Sequence, residues 1–337
     1  MATYKEIFGT NIEVLASDPS NPVEGQVWYN STDNVVKGAA ATTVGSWATG
    51  GSLNTGRRAM SGAGTQTAAL GIGGNSNPGS PPFSVEIANT ESYDGTSWTE
   101  VNDLNTGRGY AAGDGTQTSA LYFAGTVSGT PSAITESWNG TSWTSVADLN
   151  AARYGLGGAG VDNTSMLAFG GNPGPIANTE TWNGTSWTEV NDLNTARHSL
   201  AGFGIVTSAL AATGETPGGR TTLTESWNGT SWTEVADTNA DREGAGSAGT
   251  DNTSGLIFGG FQQAPVDSRV NKTELWNGTS WSEEADLSGL AYMRQAGAGT
   301  ATAALSFGGE GPANEMGTTT QEWTGAGAPL TRTFTDS

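Results

Sequence analysis

Hydrophobic residues in this chain come in short runs divided by turn residues, and the same order of runs returns again and again. In one unit a strand of small residues, Leu156–Val161, passes through the turn Asp162–Ser165 into an apolar strand ending in Gly-Gly, Met166–Gly171. A loop of variable length follows. The unit then closes on Thr-Glu-x-Trp, an Asn-Gly turn, a second Trp and a short polar strand. Equivalent apolar strands stand at Gly255–Gly260 and Ala303–Gly309. No long stretch has helical periodicity, and the runs are too short and too rich in Gly and Thr for helices. The pattern predicts an all-β chain with four short strands per unit.

The most constant part of the unit is Glu-Ser-Trp-Asn-Gly-Thr-Ser-Trp-Thr-Glu-Val, read closely at Glu136–Val146, Glu180–Val190 and Glu225–Val235. Worn copies stand at Glu91–Val101 and Glu274–Glu284, and a decayed one near Gln321–Gly325. The period of roughly 45 residues marks a repeat architecture. Aligned on the second tryptophan (Trp47, Trp98, Trp143, Trp187, Trp232, Trp281), the units share an Asp-Leu-Asn loop and an arginine: Arg57, Arg108, Arg153, Arg197 and Arg242. The sixth unit has Ala291 there, with Arg294 nearby. Asn-Gly between two strands predicts a type I′ hairpin, in which both central residues take positive φ.

Four antiparallel strands repeated at this period predict a β-propeller. The order of Arg, Gly-rich strand, Gly-Gly, aromatic and Trp resembles the Kelch repeat over Gly45–Gly325. Gly-Gly is weakened at Ala124-Gly125 and Thr213-Gly214, and no Trp-Asp dipeptide closes the units. The expectation is a six-bladed Kelch-like propeller of four-stranded blades spanning 45–327, with an arm at 1–44 and a tail at 328–337. The first unit lacks a preceding Trp-Asn-Gly and the last, ending at Trp323, lacks a following Trp. The N-terminal strand around Trp47 should therefore join the blade of Trp323 and close the ring. The competing closure uses Leu330–Thr335.

Composition fits that plan. Apolar residues make up only 35%, Gly numbers 51 and Trp 12. Small inner residues let sheets crowd an axis while aromatics, each burying on the order of 150–250 Å², fill the wider gaps. A net charge of −20 argues against nucleic-acid binding, which phosphate neutralisation drives. With no cysteine, disulfides and thiolate metal sites are excluded. Met1–Glu13 has no apolar signal-peptide region, and no run is long enough to span a membrane.

Residues 1–44 do not match the repeat. Gly25–Asn30 and Val35–Gly38 read as a hairpin around Ser31–Asn34, and Trp28 and Tyr29 on it would seek a partner surface. The segment 21–38 is similar to short hairpins near the start of structural proteins of tailed phages, especially fibre-like ones. That resemblance implies a virion protein, made in the host cytoplasm, whose arm docks to other virion proteins through residues 1–44, with Trp28 and Tyr29 as docking residues.

Other apparent sites have plainer readings. The Asn-Gly-Thr tracts match glycosylation acceptors but repeat as turns. The arginines and the recurring glutamates (Glu91, Glu136, Glu180, Glu225, Glu274) should be buried pairs. Galactose oxidase carries Kelch-type blades, but its copper site needs a cysteine-linked tyrosine. His198 is the sole histidine, so a His cluster or Ser-His-Asp triad lacks support. Ser92–Trp98 approaches a sialidase Asp-box turn but has its glycine one place early. Asp237–Glu243 could hold calcium weakly, though solvation is the plainer reading. The reading is no enzyme, no cofactor and no metal.

In repeat folds specificity lies where the repeat breaks. Here that is the loops after each Gly-Gly: Asn75–Asn89, Thr126–Ala133, Asn172–Asn178, Glu215–Leu223, Phe261–Lys272 and Glu310–Thr319. They should emerge on one face, with Phe83, Arg220, Phe261, Gln262, Gln263 and Arg269 as a binding rim for a host surface glycan or protein. Two functions remain open: a structural protein of a phage virion, or a soluble bacterial Kelch-like propeller that binds or acts on carbohydrate.

Overall fold

A computed structural model describes residues 12–19, 26–41, 45–76, 85–263, 268–289, 291–326 and 329–334. The described residues are all strand, turn and loop, with no helix long and apolar enough to cross a membrane. The chain divides into two compact units, one from Met1–Gly45 with Gly325–Ser337, the other Ser46–Thr324.

The smaller unit is one four-stranded sheet in the order Glu13–Leu15, Val27–Asn30, Val35–Ala41, Pro329–Phe334. The expected hairpin is present, with Val27 opposite Gly38 and Asn30 opposite Val35. The end of the chain was expected to be a tail and, in part, a rival closing strand. Pro329–Phe334 instead pairs antiparallel with Val35–Ala41. Its Leu-Thr-Arg-Thr-Phe alternation suits an added strand.

Among its described residues the larger unit holds six four-stranded antiparallel sheets, numbered here in chain order. Sheet 1 is Ser61–Thr65, Ala68–Ile72, Thr90–Tyr93 and Trp98–Glu100; sheet 2 is Ala112–Thr116, Ser119–Phe123, Thr135–Trp138 and Trp143–Ser145. Sheet 3 is Gly157–Asp162, Ser165–Phe169, Thr179–Trp182 and Trp187–Val190; sheet 4 is Ala201–Ile205, Ser208–Ala212, Thr224–Trp227 and Trp232–Glu234. Sheet 5 is Gly246–Asp251, Ser254–Phe258, Thr273–Trp276 and Trp281–Glu283. Sheet 6 takes Ala296–Gly299, Ala303–Phe307 and Thr320–Thr324 from late in the chain and Ser46–Thr49 from early in it, with Trp47 opposite Trp323. The arrangement is propeller-like.

Each sheet's first strand lies beside the first strand of the next sheet, and that of sheet 6 lies beside that of sheet 1. Glycine permits this approach: a Cβ on Gly62 would stand 2.2 Å from the Gly297 carbonyl oxygen. Six hydrophobic clusters fill the gaps, one between each pair of neighbouring sheets. The second tryptophans join them. Each indole N–H donates to the threonine hydroxyl that opens the third strand of the preceding sheet: Trp98 to Thr320, Trp143 to Thr90, Trp187 to Thr135, Trp232 to Thr179, Trp281 to Thr224 and Trp47 to Thr273, at 2.9–3.2 Å. A buried indole needs such a partner.

The expected arginine–glutamate pairs form. Arg108–Glu136, Arg153–Glu180 and Arg197–Glu225 lie at 2.7, 3.0 and 3.2 Å, and Arg57–Glu91 and Arg242–Glu274 are in contact, all fully buried. Burial pushes the Arg242 guanidinium down and the Glu274 carboxyl up, each towards its neutral form, and pairing opposes that. The Asp-Leu-Asn loop serves the same junction. Its Asp accepts from the backbone N–H that opens the third strand, as Asp148 does from Thr135. Its Leu is buried (Leu104, Leu149, Leu193). Its Asn donates backbone and side-chain N–H to the glutamate, as Asn105 does to Glu136 at 2.7 Å. Asp237 has this capping role towards Thr224.

The turn chemistry differs from expectation. Trp138 pairs with Trp143, so the loop is Asn139–Ser142, longer than a type I′ turn. Only the glycine takes positive φ, 89–90° at Gly95, Gly140, Gly184, Gly229 and Gly278. The asparagine side chain supplies the rest: Asn139 Oδ1 accepts from the N–H groups of Thr141 and Ser142, both at 2.9 Å. Asp94 does the same at 2.8 Å, and those N–H groups hold its carboxyl below the usual range. An acceptor oxygen is the requirement, which both residue types meet.

Candidate functional site

Two residues after each of the five paired arginines, and at the matching place in the sixth unit, the backbone turns left-handed. The residues are Ala59, Tyr110, Gly155, Ser199, Gly244 and Arg294, with φ between 51° and 62°. Their backbones bond in a closed circuit. Tyr110 N–H donates to Ala59 O, Gly155 to Tyr110, Ser199 to Gly155, Gly244 to Ser199, Arg294 to Gly244, and Ala59 to Arg294, all at 2.6–2.8 Å. Left-handed backbone costs a side-chain-bearing residue roughly 1–2 kcal/mol. Glycine meets the demand without strain; Tyr110 and Arg294 do not.

The variable loops begin beside this circuit. Their first residues bridge to the residues between arginine and turn: Asn75 to Arg58, Thr126 to Gly109, Asn172 to Tyr154, Glu215 to His198, Phe261 to Glu243 and Glu310 to Met293. All six loops therefore open on one mouth, as expected. Several form two-stranded ribbons, among them Glu215–Thr216 with Gly219–Arg220 and Phe261–Gln262 with Ser268–Arg269.

Of the residues expected at a rim, Arg220, Phe261, Gln262, Gln263 and Arg269 fall on these two adjacent ribbons and come together. The Arg220 guanidinium lies over the Phe261 ring at 4.4 Å, its backbone N–H donates to Gln263 Oε1 at 3.3 Å, and Phe261 pairs with Arg269. Phe83 lies outside the described residues. Trp28, expected to dock a partner, is fully buried, and its indole N–H donates to Asp18. It is core rather than contact surface. Tyr29 is half-buried and donates its hydroxyl to Asn34.

Glu310, Arg58, Tyr110 and Tyr154, which sequence reasoning did not single out as site residues, complete the mouth. Glu310 is held by three arginines: Arg58, Arg269 at 2.9 Å and Arg294 at 3.6 Å. Arg294 also lies over the Tyr110 ring at 5.3 Å and donates to its hydroxyl, and Tyr110 meets Tyr154 edge-on. Beside this cluster Arg220 holds Glu243 at 3.1 Å, and His198, half-buried, stands 3.8 Å from Glu215. His198, Glu215 and Glu243 bring ligand atoms within 4.8 Å of one another. Glu243 is already engaged in the ion pair with Arg220. These residues are drawn from several repeats and sit at positions the repeat does not conserve in kind, so no local motif joins them.

Below the mouth, the first strands of the six sheets line an axial cavity of about 160 Å³. Its wall is Gly, Ala and Ser apart from a few larger side chains. Asp114 is the charged one. Two backbone N–H groups, of Gly115 and Gly160, reach it at 2.7 and 3.2 Å, yet burial outweighs them and pushes its carboxyl up to about 7. The equivalent position is Ala63, Ala159, Phe203, Ala248 or Ala298 in the other sheets.

No protein-family model matches the chain, and no curated protein matches it.

Proposed function

We propose that this protein is a six-bladed Kelch-like propeller, closed by the Trp47 strand, that serves as a structural and binding protein of a phage particle. The smaller unit anchors the chain to other virion proteins, and the mouth of the propeller meets a glycan or protein of the host surface. One observation carries the binding half. In Ser46–Thr324 the four arginines outside the buried pairs, Arg58, Arg220, Arg269 and Arg294, all gather at the mouth, beside Tyr110, Tyr154 and Phe261. Arginine and aromatic residues are the enriched anchors of recognition surfaces. The blade count is supported by the closed circuits of backbone and indole hydrogen bonds. The virion half rests on the hairpin at 21–38 and its resemblance to phage structural proteins.

A mass-spectrometric inventory of purified particles tests the assignment. The chain should copurify with capsid and tail proteins at a fixed ratio; recovery only as a free cytosolic protein would favour the soluble bacterial propeller instead. Binding of the labelled full-length protein to host cells tests the mouth, and Arg220→Ala should weaken it several-fold.

A further inference from the structure

The mouth is uneven around its circuit. Gly155, Ser199 and Gly244 occupy three consecutive positions and leave that side without bulk. On the other side Tyr110 and Arg294 both hold the strained left-handed backbone, and they touch each other across Ala59. Strain at two bulky residues in mutual contact, where small ones serve elsewhere, marks a functional position. The charges there are also unbalanced. One carboxylate, Glu310, faces the guanidinium groups of Arg58, Arg269 and Arg294. In a chain of net charge −20, that cluster carries two positive charges in excess.

We propose that the Arg58–Arg269–Arg294 cluster around Glu310, with Tyr110, binds the carboxylate of an acidic saccharide. This deepens the binding role given to the mouth and rests on it. Guanidinium forks match a carboxylate in two parallel hydrogen bonds, whereas Glu310 takes one from Arg269 and one from Arg58, so part of each fork's capacity is left over. Tyr110 and Tyr154 offer apolar ring surface to a sugar, and Ser199 and His198 offer polar groups on the open side.

Calorimetric titration of the full-length protein with an oligogalacturonate, a neutral cello-oligosaccharide of equal length and inorganic phosphate tests the site. The acidic oligosaccharide should bind saturably, at least tenfold tighter than the neutral one, and weaken as salt is raised. Arg294→Met should reduce that affinity at least tenfold with an unchanged unfolding midpoint. Arg294→Lys should recover only part of it, since the charge remains and the fork is lost. Lys272→Met, away from the cluster, should leave binding intact. Equal affinity for the neutral sugar, no binding of the acidic one, full displacement by equimolar phosphate, or indifference to Arg294→Met would each overturn the proposal. Host-cell binding that persists under any of those results keeps the general role of the mouth and removes only this ligand class.

Discussion

Five sheets each hold a buried arginine against a glutamate; the sixth holds neither. Its arginine position, Ala291 by sequence spacing, is taken in the structure by Tyr292, and its glutamate position by Gln321. Gln321 instead exchanges hydrogen bonds with Ser288, accepting from its N–H and hydroxyl and donating to its carbonyl, each at 2.9 Å. Ser288 stands where the other junctions have asparagine. Both charges are missing together, which is the arrangement electrostatics permits. Removing one partner strands a buried charge, whereas replacing both by neutral groups can be nearly free. The two kinds of junction thus give one chain two answers to the same packing problem.

The comparison breaks most severely if one partner alone is removed. Arg108→Met should destabilise the protein by about 3–5 kcal/mol in urea unfolding, since Glu136 would be left charged and buried. A loss below about 1 kcal/mol would mean the pairs are not what holds these junctions. Next comes the strand that completes sheet 6. Trp47→Ala removes an indole that packs on Phe258 and Trp323 and bonds Thr273, and should cost about 3 kcal/mol. A silent mutation would show that the pairing of early and late strands contributes little.

A third probe uses Asp114, another departure from the repeat. Its folded carboxyl titrates near 7 against 3.8 for the free side chain. Below 3.8 both states hold the proton. As pH rises from there to about 7, the unfolded chain releases a proton that the folded one retains, so stability falls across that window. Asp114→Asn should flatten this slope and stabilise the protein by roughly 1–2 kcal/mol at pH 8, allowing for the solvent that reaches the group. An unchanged pH profile of the unfolding midpoint would refute it.

The fourth probe converts one junction to the other kind. Arg153→Met with Glu180→Gln should cost only about 1 kcal/mol, less than either single change, and the double-mutant cycle should show strong coupling. The mildest concerns the turns. Asn139→Asp should change stability by no more than about 0.5 kcal/mol, because Asp94 already performs that role. Asn139→Ala should lose about 1 kcal/mol with the two hydrogen bonds.

Much of this was legible in the sequence because the fold repeats its side chains. Trp, Arg, Glu and the Asp-Leu-Asn loop each recur at fixed spacing, so a role inferred once applies throughout. The half-signals at Trp47 and Trp323 likewise pointed to the pairing that exists. What escaped lacks that regularity. The left-handed circuit is built from main chain, and its six residues are of five different types, so no letter marks it. Glu310 meets Arg58 across most of the chain, a proximity that no local spacing encodes. The Asn-Gly signal gave the right hairpin with the wrong turn, because the asparagine acts through its side-chain oxygen rather than its backbone. Trp28 was misread as surface since a short hairpin alone could not bury it; the sheet has four strands.

Because Ser46–Thr49 must wait for Thr320–Thr324, the earliest-made strand of the larger unit is the last to find its neighbour. At a synthesis rate of about 5–20 residues per second, Trp47 stays unpartnered for tens of seconds on the ribosome. The five other sheets can assemble in order meanwhile, while the apolar faces of sheets 1 and 5 that pack on sheet 6 stay uncovered. Completion of sheet 6 is a late event, and a chain ending short of Trp323 would be prone to associate through those uncovered faces.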